Sequence, residues 1–210
     1  MHAPKAAFEA ASSEERGDPV RTLDLAFASV GALLYAPFFA GVAFAIFVDD
    51  QGPIFFRQTR LGKQRRPFSI LKIRTMAHGE VTRVGRWLRP TGLDETAQFL
   101  NVLSGQMRMV GPRPLTPADV ERLGWGDAIY DVRFAAPPGI TGLAQLFASG
   151  PRHALALDRL YLRRQGVALD LYLIALSFLA NLVGKRRVRR SHGAARRWWA
   201  RARRRTFRHV

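Results

Sequence analysis

The chain has no cysteine. Disulfides and thiolate metal sites are therefore excluded. That absence assigns no compartment by itself, although it suits the cytoplasmic side. Acids are scarce as well: 16 Asp and Glu stand against 33 Lys and Arg, a formal charge of +17. Such an excess calls for an anionic partner, whether nucleic acid, a phosphorylated substrate or the surface of an acidic membrane. The two deficits also have places. Residues 25 to 48 carry no charge at all, and residues 184 to 210 carry no acid. Charge and apolar surface are segregated within a chain that is 48% hydrophobic, which favours a membrane surface over a duplex. A length of 210 residues suits one domain with a real core and some appendages.

Residues 1 to 20 are polar and aperiodic, and read as a mobile tail. The uncharged run "LAFASVGALLYAPFFAGVAFAIFV" follows. It exceeds the roughly 20 apolar residues that cross a hydrocarbon core. A signal peptide fits less well, because the run is long and no small-residue cleavage site precedes a secreted domain. Pro37 lies mid-run, where it removes a helical hydrogen bond and predicts a kink near Tyr35 and Ala36. Two topologies remain open from the residues alone: a kinked span, or a re-entrant helix-break-helix that returns to one face. Basic residues flank both ends, with Arg21 before and Arg57, Arg60, Lys63, Arg65 and Arg66 after, which argues for both ends being cytoplasmic.

Two β-like runs then flank the basic stretch at residues 63 to 66 and predict a hairpin. Alternation puts Phe68, Ile70, Lys72 and Arg74 on one face. Lys72 and Arg74 there are either charges that blunt a solvated edge strand or two cations in line at a site. The stretch "DETAQFLNVL" predicts a short helix with Ala97, Leu100 and Leu103 inward, ended by Gly105. Rigid Gly/Pro loops follow, one bearing Arg113 and one running from Ala136 to Gln145. Asp158 and Tyr161 lie one turn apart on a predicted helix. A further apolar helix over residues 169 to 183 is short for a span, and reads as interfacial or packed on the first apolar segment. The tail holds twelve Lys or Arg among Trp198, Trp199 and Phe207. Lipid headgroups suit that composition. Nucleic acid uses the same residue types, but the neighbouring apolar segments favour lipid.

The polar residues of the fixed loops are Arg89, Asp94, Glu95, Arg113, Thr141 and Gln145. Arginine forks match phosphate oxygens. A carboxylate beside them can hold a divalent metal that bridges phosphates, or attack phosphorus. Neighbours on a helix point about 100° apart, so Asp94 and Glu95 need not share a job. A lone acidic pair after a turn is more commonly a helix start, where carboxylates meet free N–H groups.

Six ordered blocks add to this reading: "GPIFFRQTRLG", "FSILKIRTM", "TRVGRWLR", "LDETAQFLNVLSGQMRMVGPRP", "PGITGLAQ" and "LDRLYLRRQGVALDLYL". Together they resemble the bacterial sugar transferase family, the small monotopic phosphoglycosyl transferases. The resemblance covers residues 21 to 183. It implies an α+β, mainly helical, monotopic membrane protein with a small β-hairpin, interfacial amphipathic helices and a re-entrant N-terminal helix broken at Pro37. The implied organisation is a tail (1–20), the membrane helix (21–48), a catalytic domain (49–184) and an Arg/Trp-rich tail (185–210).

The resemblance further implies a site at the cytoplasmic face of the bacterial plasma membrane. Asp94 would attack the β-phosphate of a UDP-sugar, expelling UMP, and Glu95 would bind Mg²⁺. Polyprenol (undecaprenyl) phosphate would then take the phosphosugar and start a glycan. Arg89 and Arg113 match phosphate-contacting arginines, and Lys72 and Arg74 join them as candidates. Thr141 and Gln145 fall in the nucleotide-side block. Anionic lipid is an expected partner, nucleic acid is not, and a homodimer is left open.

Three departures from the family pattern stand out. Gly92 replaces a Ser and Thr96-Ala97 replaces Leu-Pro in Ser-Leu-Asp-Glu-Leu-Pro-Gln. The stretch from Gly105 to Arg108 loses an acid and adds a cation, and the connection from Met76 to Thr82 is short. Gly92 and Arg108 motivate an alternative, a catalytically degenerate membrane assembly partner. A basic nucleic-acid-binding protein is the remaining rival.

Overall fold

The computed structural model describes residues 19–183, so the N-terminal tail up to residue 18 and the basic C-terminal tail lie outside the described residues. Helix α1 (Pro19–Asp50) is 32 residues long and contains Pro37. At 1.5 Å per residue it extends about 48 Å, more than the roughly 30 Å of a hydrocarbon core. It is long and apolar enough to cross a membrane, and only 11% of its most apolar window is buried in the protein. That exposure separates it from the core helix of a water-soluble domain. Leu33, Leu34, Phe44, Phe47 and Val48 all project outward.

The expected hairpin forms from strands β1 (Phe55–Leu61) and β2 (Pro67–Ile73), joined by a 3-10 turn at Lys63–Arg65. The short connection after it is a second hairpin, β3 (Met76–Ala77) with β4 (Glu80–Val81). His78 (φ 51°) and Gly79 (φ 85°) both adopt left-handed backbone, the geometry of a two-residue turn. Helix α2 (Arg83–Thr91) follows, then a 3-10 segment (Leu93–Gln98) and helix α3 (Phe99–Leu103).

Strand β5 (Arg108–Val110) pairs in parallel with β6 (Gly139–Thr141). Between them lie α4 (Pro117–Arg122), capped by a reciprocal Thr116 and Asp119 box, and a 3-10 segment (Ala128–Phe134). Helices α5 (Leu143–Phe147), α6 (Pro151–Arg164) and α7 (Val167–Val183) complete the order. The main core gathers Val102, Met107, Val110, Leu143, Tyr161 and Leu173. Tyr161 does not bond Asp158. Its hydroxyl donates to the Val110 carbonyl (3.1 Å) and to Asp170 (2.9 Å), which fastens α6 and α7 to β5. Helix α7 also packs on α1, as its apolar sequence suggested.

The stripe expected at Ala97, Leu100 and Leu103 is corrected. Ala97 is buried, but Leu100 is exposed and Leu103 only half-buried, while Gln98, Asn101 and Val102 point inward. A 3-10 turn advances about 120° per residue instead of 100°. Starting the element as 3-10 therefore rotates every later side chain. Asn101 is accommodated because it receives the Leu71 N–H (2.9 Å) and donates to the Ser69 carbonyl (2.8 Å), stitching α3 to β2.

The β5–β6 pairing positions the two Gly/Pro loops, and Gly139 permits it. A Cβ there would lie 2.5 Å from the Thr141 carbonyl oxygen and 2.6 Å from the Val110 carbonyl carbon, both rigid backbone. Gly139→Ala is expected to destabilise the protein by about 3 kcal/mol, the upper end for overpacking. Thermal melting of the detergent-solubilised chain checks this, and an unchanged melting temperature would refute the steric account.

Candidate functional site

The acidic pair sits at a reversal of the backbone. Helix α2 ends at Gly92 in left-handed conformation (φ 73°), and the Gly92 N–H returns to the Arg89 carbonyl. The Glu95 N–H then bonds the Gly92 carbonyl (3.1 Å), opening the 3-10 turn that carries both acids. Gly92 thus serves a φ that side-chain-bearing residues rarely adopt. Its lack of a capping hydroxyl is secondary.

Strand β2 lies against this turn. The Lys72 ammonium reaches Glu95 Oε1 at 2.7 Å, with both side chains part-exposed. Lys72 therefore belongs to the acidic site and is not a charge that merely blunts an edge. Asp94 is half-buried, and that desolvation pushes its carboxyl above the usual range; Lys72 pulls it back, Glu95 raises it, and Arg89 lowers it. A carboxylate so placed is more basic than a solvated one, yet keeps two cations nearby to hold it ionised.

Beside the pair is a cleft lined by Arg60, Lys72, Glu95, Gln98, Arg113 and Gln145, with Ile70 and Ile140 on its walls. Lys72, Glu95, Arg113 and Gln145 were expected from sequence and come together here. Gln145 is oriented by a bond from Nε2 to the Gly139 carbonyl (3.1 Å). Arg113 is exposed, and its carbonyl accepts from buried Arg133 (2.9 Å), which anchors the loop while the guanidinium stays at the cleft. The other expected residues lie outside that lining. Arg89 is exposed at the end of α2 and acts on Asp94 through its charge. Thr141 is buried, and its carbonyl receives the Gly111 N–H, so it supports the loops from behind. The Arg74 guanidinium lies on Gly52 and donates to the Pro53 carbonyl (2.7 Å).

Arg60 and Gln98 were not singled out beforehand. A signal for Arg60 was present: hairpin register sets Arg60 opposite Phe68 and Gln58 opposite Ile70. Directly paired residues share a face, so Arg60 joins the face of Lys72 once the register is known. Its guanidinium donates to the Pro114 carbonyl (3.2 Å) and to Gln58 (2.6 Å), and Asp119 stands 3.5 Å away. Its Nε is buried without a hydrogen-bond partner.

Among the described residues no cluster of three His, Cys, Asp or Glu could cage a metal. Mg²⁺ needs no such cage, since it binds through one or two carboxylates plus substrate phosphates and water. Glu95, on the cleft wall, offers one such carboxylate, and Asp94 stands beside it in the chain but outside the lining.

A family model described as bacterial sugar transferase matches residues 19–184. The chain belongs to the bacterial sugar transferase family. Among sugar transferases it is similar to the UDP-glucose:undecaprenyl-phosphate glucose-1-phosphate transferase of Caulobacter vibrioides, 41% identical over 165 residues, which are 72% of this chain and 60% of that protein. The transferase of the same name from Klebsiella pneumoniae is 34% identical over 189 residues, 79% of this chain and 40% of that protein. An exopolysaccharide production protein of Rhizobium leguminosarum bv. phaseoli is 36% identical over 178 residues, covering 73% and 84%. The chain thus spans less than two thirds of the length of each of the first two relatives.

Arg108, a departure from the family pattern, lies away from the acidic pair. Its Nε meets Asp24 Oδ2 at 3.1 Å, and Asp24 also accepts the Met109 N–H (2.9 Å). Asp24 is fully buried on α1, so this contact ties the apolar helix to β5.

Proposed function

We propose that the chain is a phosphoglycosyl transferase. It moves a sugar 1-phosphate from a UDP-sugar to polyprenol phosphate, at the cytoplasmic face of a bacterial plasma membrane. The observation that carries this reading is the Asp94–Glu95 pair beside a cleft whose walls bear Lys72, Arg60 and Arg113. Three cations on the walls of a cleft beside the acidic pair suit a diphosphate, which is anionic and needs charge compensation while a P–O bond breaks. The activity after which those two relatives are named, transfer of glucose 1-phosphate from UDP-glucose to undecaprenyl phosphate, supports the same reaction class.

In the proposed chemistry an Asp94 carboxylate oxygen forms a bond to the β-phosphorus. The bond from that phosphorus to the bridging oxygen breaks, and UMP leaves with the electron pair. A phosphate oxygen of the polyprenol then attacks the same phosphorus and releases Asp94 as a carboxylate. Splitting one displacement into two is the usual advantage of a covalent intermediate. Glu95 would hold Mg²⁺, which when bound supplies charge neutralisation on the diphosphate. Arg113 and Arg60 orient the phosphates, Arg89 and Lys72 keep Asp94 ionised, and Gln145 and Thr141 shape the nucleotide side.

The membrane placement rests on α1. A helix too long for a straight crossing, with Pro37 near its middle and Arg21 at one end, suits a re-entrant insertion that keeps both flanks on one side. The degenerate-partner alternative loses its motivation, because Gly92 answers a backbone requirement and Arg108 has a partner in Asp24.

The test is UMP release by membranes containing the chain, with Mg²⁺ and a panel of UDP-sugars. Release that depends on Mg²⁺ and on one or a few donors supports the proposal; no release from any donor by folded protein overturns it. Lys72→Met sharpens the site assignment. Losing one charged contact to the site is expected to lower kcat/KM about tenfold. Removing the cation raises Asp94 further, so the acid limb of the pH profile should move to higher pH. A shift to lower pH would show that Lys72 does not hold Asp94 ionised.

A further inference from the structure

The loop that carries Arg113 is pinned at each carbonyl from Pro112 to Leu115. The Pro112 carbonyl accepts the Gly139 N–H (3.0 Å) and the Leu115 carbonyl accepts the Leu61 N–H (2.8 Å). Between them, the Arg113 carbonyl accepts Arg133 (2.9 Å) and the Pro114 carbonyl accepts Arg60 (3.2 Å). Pro112 and Pro114 also fix φ on either side of Arg113. The backbone beneath the Arg113 guanidinium is thus set by β6, by the β1–β2 hairpin and by the 3-10 segment that holds Arg133.

Of the two side chains in this clamp, Arg133 is the more deeply buried. Its Nη2 nitrogen serves two partners at once, the Arg113 carbonyl and, at 3.2 Å, the carboxylate of Asp158 on α6. Its guanidinium also lies against the rings of Trp125 (4.8 Å) and Phe134 (5.7 Å), and Trp125 is stacked on Tyr130. Taking a guanidinium and a carboxylate out of water is costly, and an apolar pair of similar volume often stabilises as well. Stability therefore does not account for the pair. An apolar pair, however, donates nothing to the Arg113 carbonyl. A planar, permanently charged fork satisfies an acid and a carbonyl together.

We propose that Arg133 is a positioning residue. It holds the Arg113 backbone so that the Arg113 guanidinium meets the diphosphate of the donor, and Asp158 and Trp125 keep Arg133 in place. The ligand in this proposal rests on the transferase reading; the clamp itself does not.

The variant Arg133→Met/Asp158→Leu removes the clamp without stranding a charge. Magnesium pyrophosphate is titrated by calorimetry into the full chain in mild detergent, and UMP release is measured with a UDP-sugar that the natural chain accepts. The variant should bind pyrophosphate about tenfold more weakly, and its donor KM should rise about tenfold with kcat held within about twofold. Arg113→Ala should lose about as much. Combining the two should cost no more than about a further twofold, because both act through one guanidinium. Additive losses, natural affinity in the Met/Leu variant, or a fall in kcat at unchanged KM would each overturn the proposal. Hydrogen exchange across residues 111–116 reads the clamp without a ligand. Exchange about tenfold faster in the variant supports it, and unchanged exchange overturns it. A natural chain that binds no pyrophosphate and releases no UMP overturns the transferase reading and the diphosphate with it, while exchange still decides the clamp. Should the Met/Leu variant melt early, Arg133→Gln/Asp158→Asn replaces it in every arm, since paired amides leave no buried charge.

Discussion

Asp94→Asn is expected to abolish UMP release, with a loss of at least about 10³-fold, the scale seen when a covalent nucleophile is removed. Asparagine keeps the shape of the side chain but offers no anionic oxygen to phosphorus. Folding should survive, because the half-buried carboxylate carries a desolvation cost that the amide lacks. The informative readout is the adduct itself. Without acceptor, the natural chain incubated with donor should carry a sugar-phosphate mass on the peptide containing Asp94, and the variant should carry none. Glu95→Gln should slow formation of that adduct while leaving its position unchanged. Full activity of Asp94→Asn would refute the nucleophile assignment and leave Glu95 as the remaining carboxylate. Acid should silence UMP release early. Burial raises Asp94, so the ionised form is lost at a higher pH than for a solvated Asp, and the rate falls as pH drops through that raised value.

Asp158→Ala has the largest expected effect on stability. Arg133 and Asp158 form an ion pair at 3.2 Å, with side chains only 4% and 3% exposed. Arg133 is further held 4.8 Å above the Trp125 ring and through its bond to the Arg113 carbonyl. Removing Asp158 strands a buried guanidinium, which costs about 3–5 kcal/mol. Replacing both partners, as Arg133→Met/Asp158→Leu, should recover most of that loss, since apolar pairs often match buried ion pairs in stability. Urea melts of the two variants check this; a double variant as unstable as the single would refute it.

The pair also sets a pH dependence. Burial pushes the Asp158 carboxyl up to about 6, against the opposing pull of Arg133. A folded value above the unfolded 3.8 means that the native state binds the proton more tightly. Its stabilising contribution is complete below the unfolded value and is lost as pH rises through about 6. The difference in stability between the natural chain and Asp158→Asn should therefore change between about pH 4 and 6 and level off above it.

The elements that were legible from sequence are those governed by neighbours along the chain. The β1–β2 hairpin follows from two β-rich runs around a basic turn, and the apolar α1 and α7 follow from charge-free composition. The acidic turn was legible too, because Gly92 and the two carboxylates mark the end of one helix and the start of the next. What was misjudged depends on phase or partner. Leu100 faces outward because a 3-10 start shifts the helical phase, a difference that hydrophobic spacing does not encode. Arg108 reads in the sequence only as a departure from the family pattern, because its partner Asp24 lies 84 residues earlier. Arg60 required the hairpin register before it joined Lys72.

By itself the sequence determined the membrane-suited helix, the excess of cations and the ordered blocks that mark the family, all properties of local composition and spacing. Only the tertiary structure decided which cations serve which acids. Lys72 goes to Glu95, Arg108 to Asp24 and Arg133 to Asp158, while Arg74 turns away to the Pro53 carbonyl. The reason is physical: attraction between exposed charges is largely screened beyond about 10 Å at physiological salt. In a chain with two cations for every acid, the pairing is set by which strands and helices pack together.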